Sequence, residues 1–469
     1  MKILLINSLF SNDKGILADR YVPPLGLLYI VAYLRRYNQE VFYIDPLPMR
    51  IDDRAFKEFC RRLKPDLIGL NSVTTSFENA VRLAHIVKDA CGAPIIVGGP
   101  HASALAEETL LRYPVFDFAC IGEGEITMLE LAKNRAYHKE RLCQINGLAF
   151  RDGNHVYTTA PRAFIKDLDS LPYPARDLLD MHAYGSMCSG FFAKKGLSTT
   201  LLTSRGCAYR CGFCVSHLTT GNVFRSHSPR YVMEEITHLR GKYGVNNFAF
   251  IDDTFTADKE RTEEICDLIL KERLLITWLC ETRADCVSER LLLKMKSAGC
   301  GLIYFGLESA NPLILKDMRK GISPEQARQA ITLANKVGIK TIANFIFGNQ
   351  RETKNTLKET IRFAVSADPY IATFGFLNYL PGSMNYNNLT RSYKDRIADW
   401  DGFGFTKAAA FRKIPALAEH IHVLTLKKYL FLAYLKFYYR PRIILRLLKG
   451  VSSWPKFIRK AYRFVLATL

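Results

Sequence analysis

Three cysteines in the second half of the chain have a spacing that suits metal chemistry. Cys207, Cys211 and Cys214 follow one another as C-x3-C-x2-C on what we expect to be one short loop. Three thiolates can hold an iron–sulfur cluster and leave one iron open to another ligand. A structural zinc ion needs four protein ligands, and the sequence offers only the isolated His217 nearby. The spacing therefore favours an open iron–sulfur cluster, with zinc as the alternative.

The cysteines come directly after the first of six strand-like segments. Between residues 196 and 385, short apolar runs alternate with helix-length segments, which predicts six βα units and a partial TIM barrel. Such barrels carry their chemistry at the carboxyl ends of their strands. The predicted strands are Thr199–Ser204, Asn246–Asp252, Ile276–Thr282, Leu302–Leu307, Thr341–Phe347 and Thr373–Tyr379.

Residues 1–140 show the same alternation and are predicted to form a separate α/β domain. Short buried runs between helices predict a doubly wound, Rossmann-like parallel sheet, which binds ligands beyond the carboxyl ends of its strands. A hairpin and a proline-rich segment in residues 141–195 are predicted to link this domain to the barrel. The expected ligand-binding residues of the first domain are Asn71, Ser72, Thr74, Gly98, Gly99, His101, Gly122, Glu123 and Gly124.

The composition is that of an ordinary globular protein. The 469 residues are 48% hydrophobic and 23% charged, which excludes intrinsic disorder and fits two or three domains. The sequence contains no predicted transmembrane helix, and its N-terminus does not resemble a signal peptide. We therefore expect a cytoplasmic protein whose twelve cysteines are metal ligands or core residues rather than disulfides.

Much of the net charge of +20 lies in the last segment, residues 386–469. From Thr406 onward, fourteen Lys and Arg residues accompany a single acid, Glu419. The periodicity predicts basic amphipathic helices, and residues 420–469 suit peripheral contact with an anionic membrane on its inner face. The alternatives are a helix packed on the preceding domain and, less favoured, a nucleic-acid contact.

The cysteine loop resembles the signature of the radical S-adenosylmethionine (SAM) superfamily, in which C-x3-C-x2-C binds a [4Fe-4S] cluster. Further motifs resemble its cobalamin-binding (B12-binding) branch. That branch includes class B radical SAM methyltransferases and the anaerobic magnesium-protoporphyrin IX monomethyl ester cyclase group. The motifs, within residues 1–385, are Pro23–Gly26, Gly98–His101, Gly122–Glu125, Leu171–Arg176, Phe250–Phe255, Thr282–Asp285, Phe305–Ser309 and Leu380–Ser383.

The resemblance implies three cofactors. The cysteines would bind the [4Fe-4S] cluster, and its open iron would bind the amino and carboxylate groups of SAM. Cobalamin would lie on the loops of the first domain, with no protein histidine on cobalt. His182 stands in an Asp-x-His-x-x-Gly string like that of mutases, but outside the predicted sheet, so we do not expect it to bind cobalt. The residues expected at SAM are Phe213, Asp252 or Asp253 (amino group), Arg283 (carboxylate) and Glu308 (ribose).

The resemblance also implies the reaction. We expect a methyltransferase acting on an unactivated carbon of a hydrophobic substrate, such as a lipid, isoprenoid or tetrapyrrole. A flavodoxin or ferredoxin would supply electrons. The alternative is a radical cyclisation or rearrangement without methyl transfer. An RNA-modifying enzyme is less favoured, because the sequence lacks the small β-barrel of tRNA methylthiotransferases, and a zinc-stabilised binding protein is favoured least.

Overall fold

The computed structural model describes residues 1–8, 21–134, 136–184, 196–389 and 421–449. These residues form two α/β domains followed by two helices. The first domain is doubly wound, and the second is a six-stranded partial barrel. The predicted fold class is therefore confirmed.

The first domain is built on a seven-stranded sheet. Its strands are β1 (Lys2–Ile6), β2 (Glu40–Ile44), β3 (Leu67–Asn71), β4 (Ile95–Gly98), β5 (Phe118–Cys120), β6 (Leu148–Asp152) and β7 (His155–Thr158). The order is β2-β1-β3-β4-β5-β6-β7, with β1 to β5 parallel. The strand order reverses between β1 and β3, and such a reversal opens a ligand crevice at the carboxyl edge of the sheet.

Helices cover both faces of this sheet. They are α1 (Leu25–Arg36), α2 (Asp53–Leu63), α3 (Phe77–Cys91), α4 (Pro100–Ala104), α5 (Ala106–Arg112), α6 (Gly124–Lys133) and α7 (Lys139–Leu142). Helix α2 shows how the sequence specifies them. The side chain of Asp52 accepts a hydrogen bond from the amide of Ala55 and begins the helix. Phe56 and Cys60, one turn apart, are its buried residues and hold it to the core.

The predicted hairpin does not belong to the linker. Strands β6 and β7 extend the first sheet in antiparallel fashion, and Ala149 and Phe150 are fully buried there. The first domain therefore extends at least to Thr158 rather than ending near residue 140. In the proline-rich segment that follows, Arg176 forms a buried ion pair of 2.6 Å with Glu235 of the barrel domain.

The second domain contains the predicted barrel. Its strands are β8 (Leu197–Leu201), β9 (Ser204–Arg205), β10 (Arg225–Ser226), β11 (Val245–Phe250), β12 (Thr277–Thr282), β13 (Cys300–Glu308), β14 (Lys340–Phe347) and β15 (Ile371–Phe376). Strands β8 and β11 to β15 are parallel and adjacent in that order, whereas β9 and β10 form a separate antiparallel pair. All six predicted barrel strands are present, each displaced by a few residues at most.

Helices connect these strands. They are α8 (His217–Thr220), α9 (Pro229–Tyr243), α10 (Lys259–Lys271), α11 (Glu289–Ser297), α12 (Pro312–Asp317), α13 (Pro324–Lys336), α14 (Lys354–Ala367) and α15 (Met384–Asn387). Seven of them begin at a residue whose side chain accepts a hydrogen bond from the amide three residues on, which fixes where each loop ends. These residues are Ser228, Asp258, Ser288, Asn311, Ser323, Thr353 and Ser383.

Two more helices, α16 (Val423–Tyr438) and α17 (Pro441–Lys449), follow the barrel. The Tyr434 hydroxyl donates to the Phe374 carbonyl at 2.8 Å and accepts from its amide at 3.1 Å. The Tyr438 hydroxyl donates to the Ala372 carbonyl at 2.8 Å. Tyrosines of helix α16 thus hydrogen-bond to the open edge of β15. One face of the helix therefore packs on the barrel domain, as the sequence analysis allowed as an alternative to membrane contact. The part of the predicted basic helical segment after residue 449 lies outside the described residues.

Candidate active site

The three cysteines lie on a loop between β9 and β10, beyond the carboxyl end of β8. Arg205 and Arg225 pair across these two short strands and close the base of the loop. Gly206 has φ +86°, and a Cβ atom there would lie 2.2 Å from the Val223 carbonyl oxygen. Only glycine permits this close crossing of the loop ends. The thiol of Cys207 lies 3.8 Å from the Thr254 hydroxyl at the end of β11.

The surroundings of the cysteines fit a cluster better than a single ion. All three cysteines are partly exposed. Burial raises the pKa of the Cys211 thiol, and the nearby positive charges of Lys320 and Arg283 oppose that rise and favour the thiolate that iron requires. Among the described residues, no three His, Cys, Asp or Glu side chains come together closely enough for one metal ion. In a [4Fe-4S] cluster, each cysteine binds a different iron.

Asp252 and Asp253, at the end of β11, have different surroundings. Asp252 is 0% exposed, and its Oδ1 accepts hydrogen bonds from the Thr203 amide at 2.9 Å and the Ser204 hydroxyl at 2.5 Å. It therefore holds the start of the cluster loop, and its predicted contact with SAM stays a prediction, since its buried Oδ2 has no hydrogen-bond partner among the described residues. Asp253 is exposed and accepts from Ser216 at 2.7 Å, so it remains a candidate for the SAM amino group.

Arg283 lies against the cluster loop. Its guanidinium carbon is 3.5 Å from the centre of the Tyr209 ring, between the first two cysteines. Its Nε and Nη2 each donate to Asp285 at 2.9 Å, whereas the buried Nη1 has no hydrogen-bond partner among the described residues. A buried donor without a partner is costly, and a bound carboxylate would satisfy it. This geometry fits the predicted contact with the SAM carboxylate.

Glu308 has a backbone conformation that is rare for residues other than glycine. Its φ is +67°, and its Oε1 accepts from Lys320 at 2.7 Å, with both side chains buried. Gly306 makes room, because a Cβ there would lie 2.6 Å from the Glu308 carboxylate. Lys320 also lies 5.9 Å from the ring centre of Phe213, which packs in an apolar cluster containing residues of both domains. The contacts of Glu308 and Phe213 with SAM stay predictions.

Glu281 is a candidate that the sequence analysis missed. Side chains alternate along strands, and the barrel interior is filled by Ala249, Leu279, Leu302, Ile342 and Ile371. Two residues further along each strand, the side chains are partly exposed: Ile251, Glu281, Tyr304, Asn344 and Thr373. Partial burial of the Glu281 carboxylate, followed by the charge of Asp253, raises its pKa to about 7. The Glu281 carboxylate has no hydrogen-bond or ion-pair partner among the described residues, and no local sequence signal marks it.

At the carboxyl edge of the first sheet, most predicted ligand residues bond to the chain itself. Asn71 donates to the Asn7 side chain at 3.0 Å and accepts from the Ser8 amide at 2.8 Å, across the β1/β3 reversal. Gly99 has φ +99°, and a Cβ there would lie 2.5 Å from the Ser72 carbonyl oxygen. Gly99 is therefore required by the neighbouring loop, whereas a Cβ on Gly98 would make ordinary contact.

His101 lies inside the first domain. The ring is 2% exposed, stacks on Phe77 at 3.9 Å between centroids, and lies 3.3 Å from the Thr74 hydroxyl. Burial lowers its pKa to about 3, so it is neutral at pH 7. His101 supports the loop from beneath, and its burial argues against the predicted contact with cobalamin. His182, which we did not expect to bind cobalt, is exposed.

Glu123 connects the first domain to the cluster loop. Its Oε1 lies 3.0 Å from a guanidinium nitrogen of Arg205 and 3.0 Å from one of Arg225, and Glu125 lies 2.7 Å from Arg205. Glu123 was predicted to contact cobalamin; the structure instead commits its carboxylate to these ion pairs. Of its neighbours, Gly122 and Gly124 have no side chain, so cobalamin contact there would be through the backbone.

Comparisons with known proteins agree with this arrangement. The model of the Radical SAM superfamily matches residues 201–364, and that of the B12 binding domain matches residues 16–132. An uncharacterized methyltransferase of Pyrococcus horikoshii is 32% identical over 447 residues, covering 95% of this chain and 94% of that protein. The anaerobic magnesium-protoporphyrin IX monomethyl ester cyclase of Cereibacter sphaeroides is 27% identical, covering 89% and 68%.

Solved structures share the fold of both domains. The radical SAM methyltransferase TsrM of Kitasatospora setae, with cobalamin and a [4Fe-4S] cluster bound, has a TM-score of 0.67 and 18% identity. The match covers 82% of this chain and 73% of TsrM. At this identity the similarity shows the fold, while the family models point to the cofactors.

Proposed function

Because the chain belongs to the cobalamin-dependent radical SAM family, with a [4Fe-4S] cluster, SAM and cobalamin as its cofactors, we propose that it methylates an unactivated carbon. One observation supports methyl transfer most strongly. Ala104 at the end of α4 and Leu218 in α8 both lie within 3.1 Å of where a Cβ on Gly382 would be. The loop after β4, where cobalamin is expected, thus adjoins the helix after Cys214. A methyl donor and a radical must act on the same carbon, so their sites must be neighbours.

When bound, the cofactors supply a 5′-deoxyadenosyl radical and a methyl group. The protein's own residues orient and shield them. The free Nη1 of Arg283 would hold the SAM carboxylate, and Asp253 would accept from its amino group. Tyr209 and Phe213 place aromatic rings beside the cysteines, which limits access of water to the radical.

We further propose a hydrophobic substrate and, as partner, a flavodoxin or ferredoxin. The test is an anaerobic incubation of reconstituted protein with lipid extract, reductant and SAM carrying a deuterated methyl group. A substrate that gains the deuterated methyl supports the proposal. A product whose mass changes without deuterium would favour the cyclase-like alternative, to which the Cereibacter relative gives weight.

Peripheral contact with an anionic membrane fits the outer face of α16. Leu424, Phe431, Leu435 and Tyr439 lie along this face and are 67%, 45%, 43% and 79% exposed. No Asp or Glu occurs after residue 419, and several Lys and Arg flank the stripe. Among the described residues, no helix is both long and apolar enough to cross a bilayer.

Sedimentation with vesicles tests this contact. Phe431→Glu combined with Leu435→Glu should reduce binding to phosphatidylglycerol vesicles several-fold. Each change removes apolar area from the helix and adds a negative charge that the anionic lipid repels. Leu293→Glu, at a 51% exposed leucine on α11, is the matched control. Equal binding of the double variant and the wild type would refute the membrane contact. Salt-sensitive binding to RNA instead would favour the nucleic-acid alternative.

A further inference from the structure

The ion pairs between the first domain and the cluster loop are unusually well buried. The side chains of Arg205, Glu123 and Glu125 are 6%, 5% and 4% exposed, and that of Arg225 is 9% exposed. Charged groups are seldom buried to this degree unless each is paired. Two cations face two anions here, so the group is balanced in charge.

Further contacts restrain three members of this group. The second oxygen of Glu123 accepts from the Ile165 amide at 2.7 Å, after the first domain's sheet. The guanidinium of Arg205 lies 5.1 Å from the ring centre of Tyr29 on α1 of the first domain, and Nη2 of Arg225 donates to the Thr220 carbonyl at 2.6 Å. These charged side chains are therefore held by neutral groups as well as by one another.

The cluster loop is thus held at its base from two directions. On the barrel side, Asp252 fixes Thr203 and Ser204, which come directly before Arg205. On the side of the first domain, Glu123 binds both strands that close the loop, and Glu125 binds one of them. Arg205 is two residues before the first cluster cysteine, so only Gly206 separates Arg205 from Cys207 along the chain.

We propose that Glu123 and Glu125 are positioning residues for the [4Fe-4S] cluster, through Arg205 and Arg225. The first domain then sets the place of the cluster loop as well as binding cobalamin. The inference depends on the cluster and SAM but not on the substrate or on methyl transfer, so it can fail or succeed independently of the proposed function.

The test compares the full-length reconstituted protein with Glu123→Gln, Glu125→Gln and the double variant. Glutamine keeps the size and a hydrogen-bonding oxygen but removes the charge. Glu130→Gln is the matched control, since Glu130 is also on α6 and pairs with Arg162 of its own domain. The measurements are iron and sulfide content, the electron paramagnetic resonance (EPR) spectrum of the reduced cluster with and without SAM, SAM affinity, and hydroxocobalamin affinity.

We expect the double variant to incorporate less cluster and to lose the change that SAM causes in the EPR spectrum. Its SAM affinity should fall about tenfold, as when one charge-assisted contact is lost. Hydroxocobalamin affinity should stay unchanged, and Glu130→Gln should behave as the wild type.

Two results would overturn the proposal. One is a folded double variant with the cluster content, EPR spectra and SAM affinity of the wild type. The other is loss of hydroxocobalamin affinity with an unaffected cluster, which would return Glu123 to its predicted role at cobalamin. Should the double variant not fold by circular dichroism, the single variants give the same comparison, with smaller changes expected. Should those also not fold, Arg205→Lys, which keeps the charge but shortens the contact, must weaken SAM binding and alter the EPR spectrum.

Discussion

The carboxyl ends of the two sheets use their polar side chains differently. At the first sheet, Asn71 and Glu123 are committed to partners within the chain, and His101 is buried beneath its loop. At the barrel, a buried nitrogen of Arg283 has no partner among the described residues, and burial raises the pKa of the Glu281 carboxyl group. The difference matches the ligands. Cobalamin is large and can be held by shape and backbone, whereas SAM carries charges that need partners of opposite charge.

Substitution of a cluster cysteine should remove the function of one region, the barrel, and leave cobalamin binding by the first domain intact. Cys211→Ser should abolish reductive cleavage of SAM, because the cluster loses one of its three thiolates, while hydroxocobalamin still binds. Iron content measures the cluster, 5′-deoxyadenosine measures SAM cleavage, and corrinoid absorption measures cobalamin binding. Cys143→Ser, at an exposed cysteine, is the control and should change none of them. Loss of corrinoid together with the cluster would show that the two regions are not separable in this way.

The corresponding change in the first domain is Gly99→Ala. At φ +99° and with the Ser72 carbonyl 2.5 Å away, a methyl group strains the loop, which should cost about 1–3 kcal/mol of stability and weaken hydroxocobalamin binding. Urea unfolding and corrinoid titration are the measurements. Gly98→Ala, with its nearest contact at 3.5 Å, should be tolerated. Equal effects of the two alanine substitutions would mean that the neighbouring loop does not require glycine at position 99.

Within the barrel, substitutions of the two neighbouring aspartates, Asp252 and Asp253, should have different effects. Asp253→Asn should weaken SAM binding about tenfold with little loss of stability, because a charge-assisted contact is lost at an exposed site. Asp252→Asn should lower stability, because it disturbs the buried bonds to Thr203 and Ser204, and should weaken SAM binding less than Asp253→Asn does. Equilibrium dialysis and thermal unfolding distinguish the two, and a reversed outcome would refute the assignment.

The smallest expected effect is a difference in the pH dependence of stability. The pKa of His101 is lowered to about 3, so its contribution to stability is lost as the pH falls from 6.5 towards 3. The pKa of Glu281 is raised to about 7, so its contribution is lost as the pH rises from 4.5 through 7. Glu281→Gln should flatten the second trend without changing the first. Unfolding free energies between pH 5 and 8 measure this, and unchanged slopes would contradict it.

The sequence predicted the elements and the cysteine loop because both are local signals. Apolar runs, helix caps and the C-x3-C-x2-C spacing do not depend on the rest of the fold. The sequence could not predict which polar side chains bind partners that lie far away along the chain. The partners of Glu123 are about 80 and 100 residues away, and the hairpin at Ala149 joined the first sheet only because β5 offered an edge. Glu281 looks like any other strand residue until the barrel partly buries it.

We infer that a methyl donor and a radical source act at one site in this protein. The most direct test is an anaerobic incubation of the reconstituted protein with SAM, reductant, hydroxocobalamin and lipid extract, measuring 5′-deoxyadenosine and S-adenosylhomocysteine together. We predict both products, with S-adenosylhomocysteine formed only when corrinoid is bound. Formation of 5′-deoxyadenosine alone, with corrinoid bound, would contradict methyl transfer and favour the cyclase-like reaction.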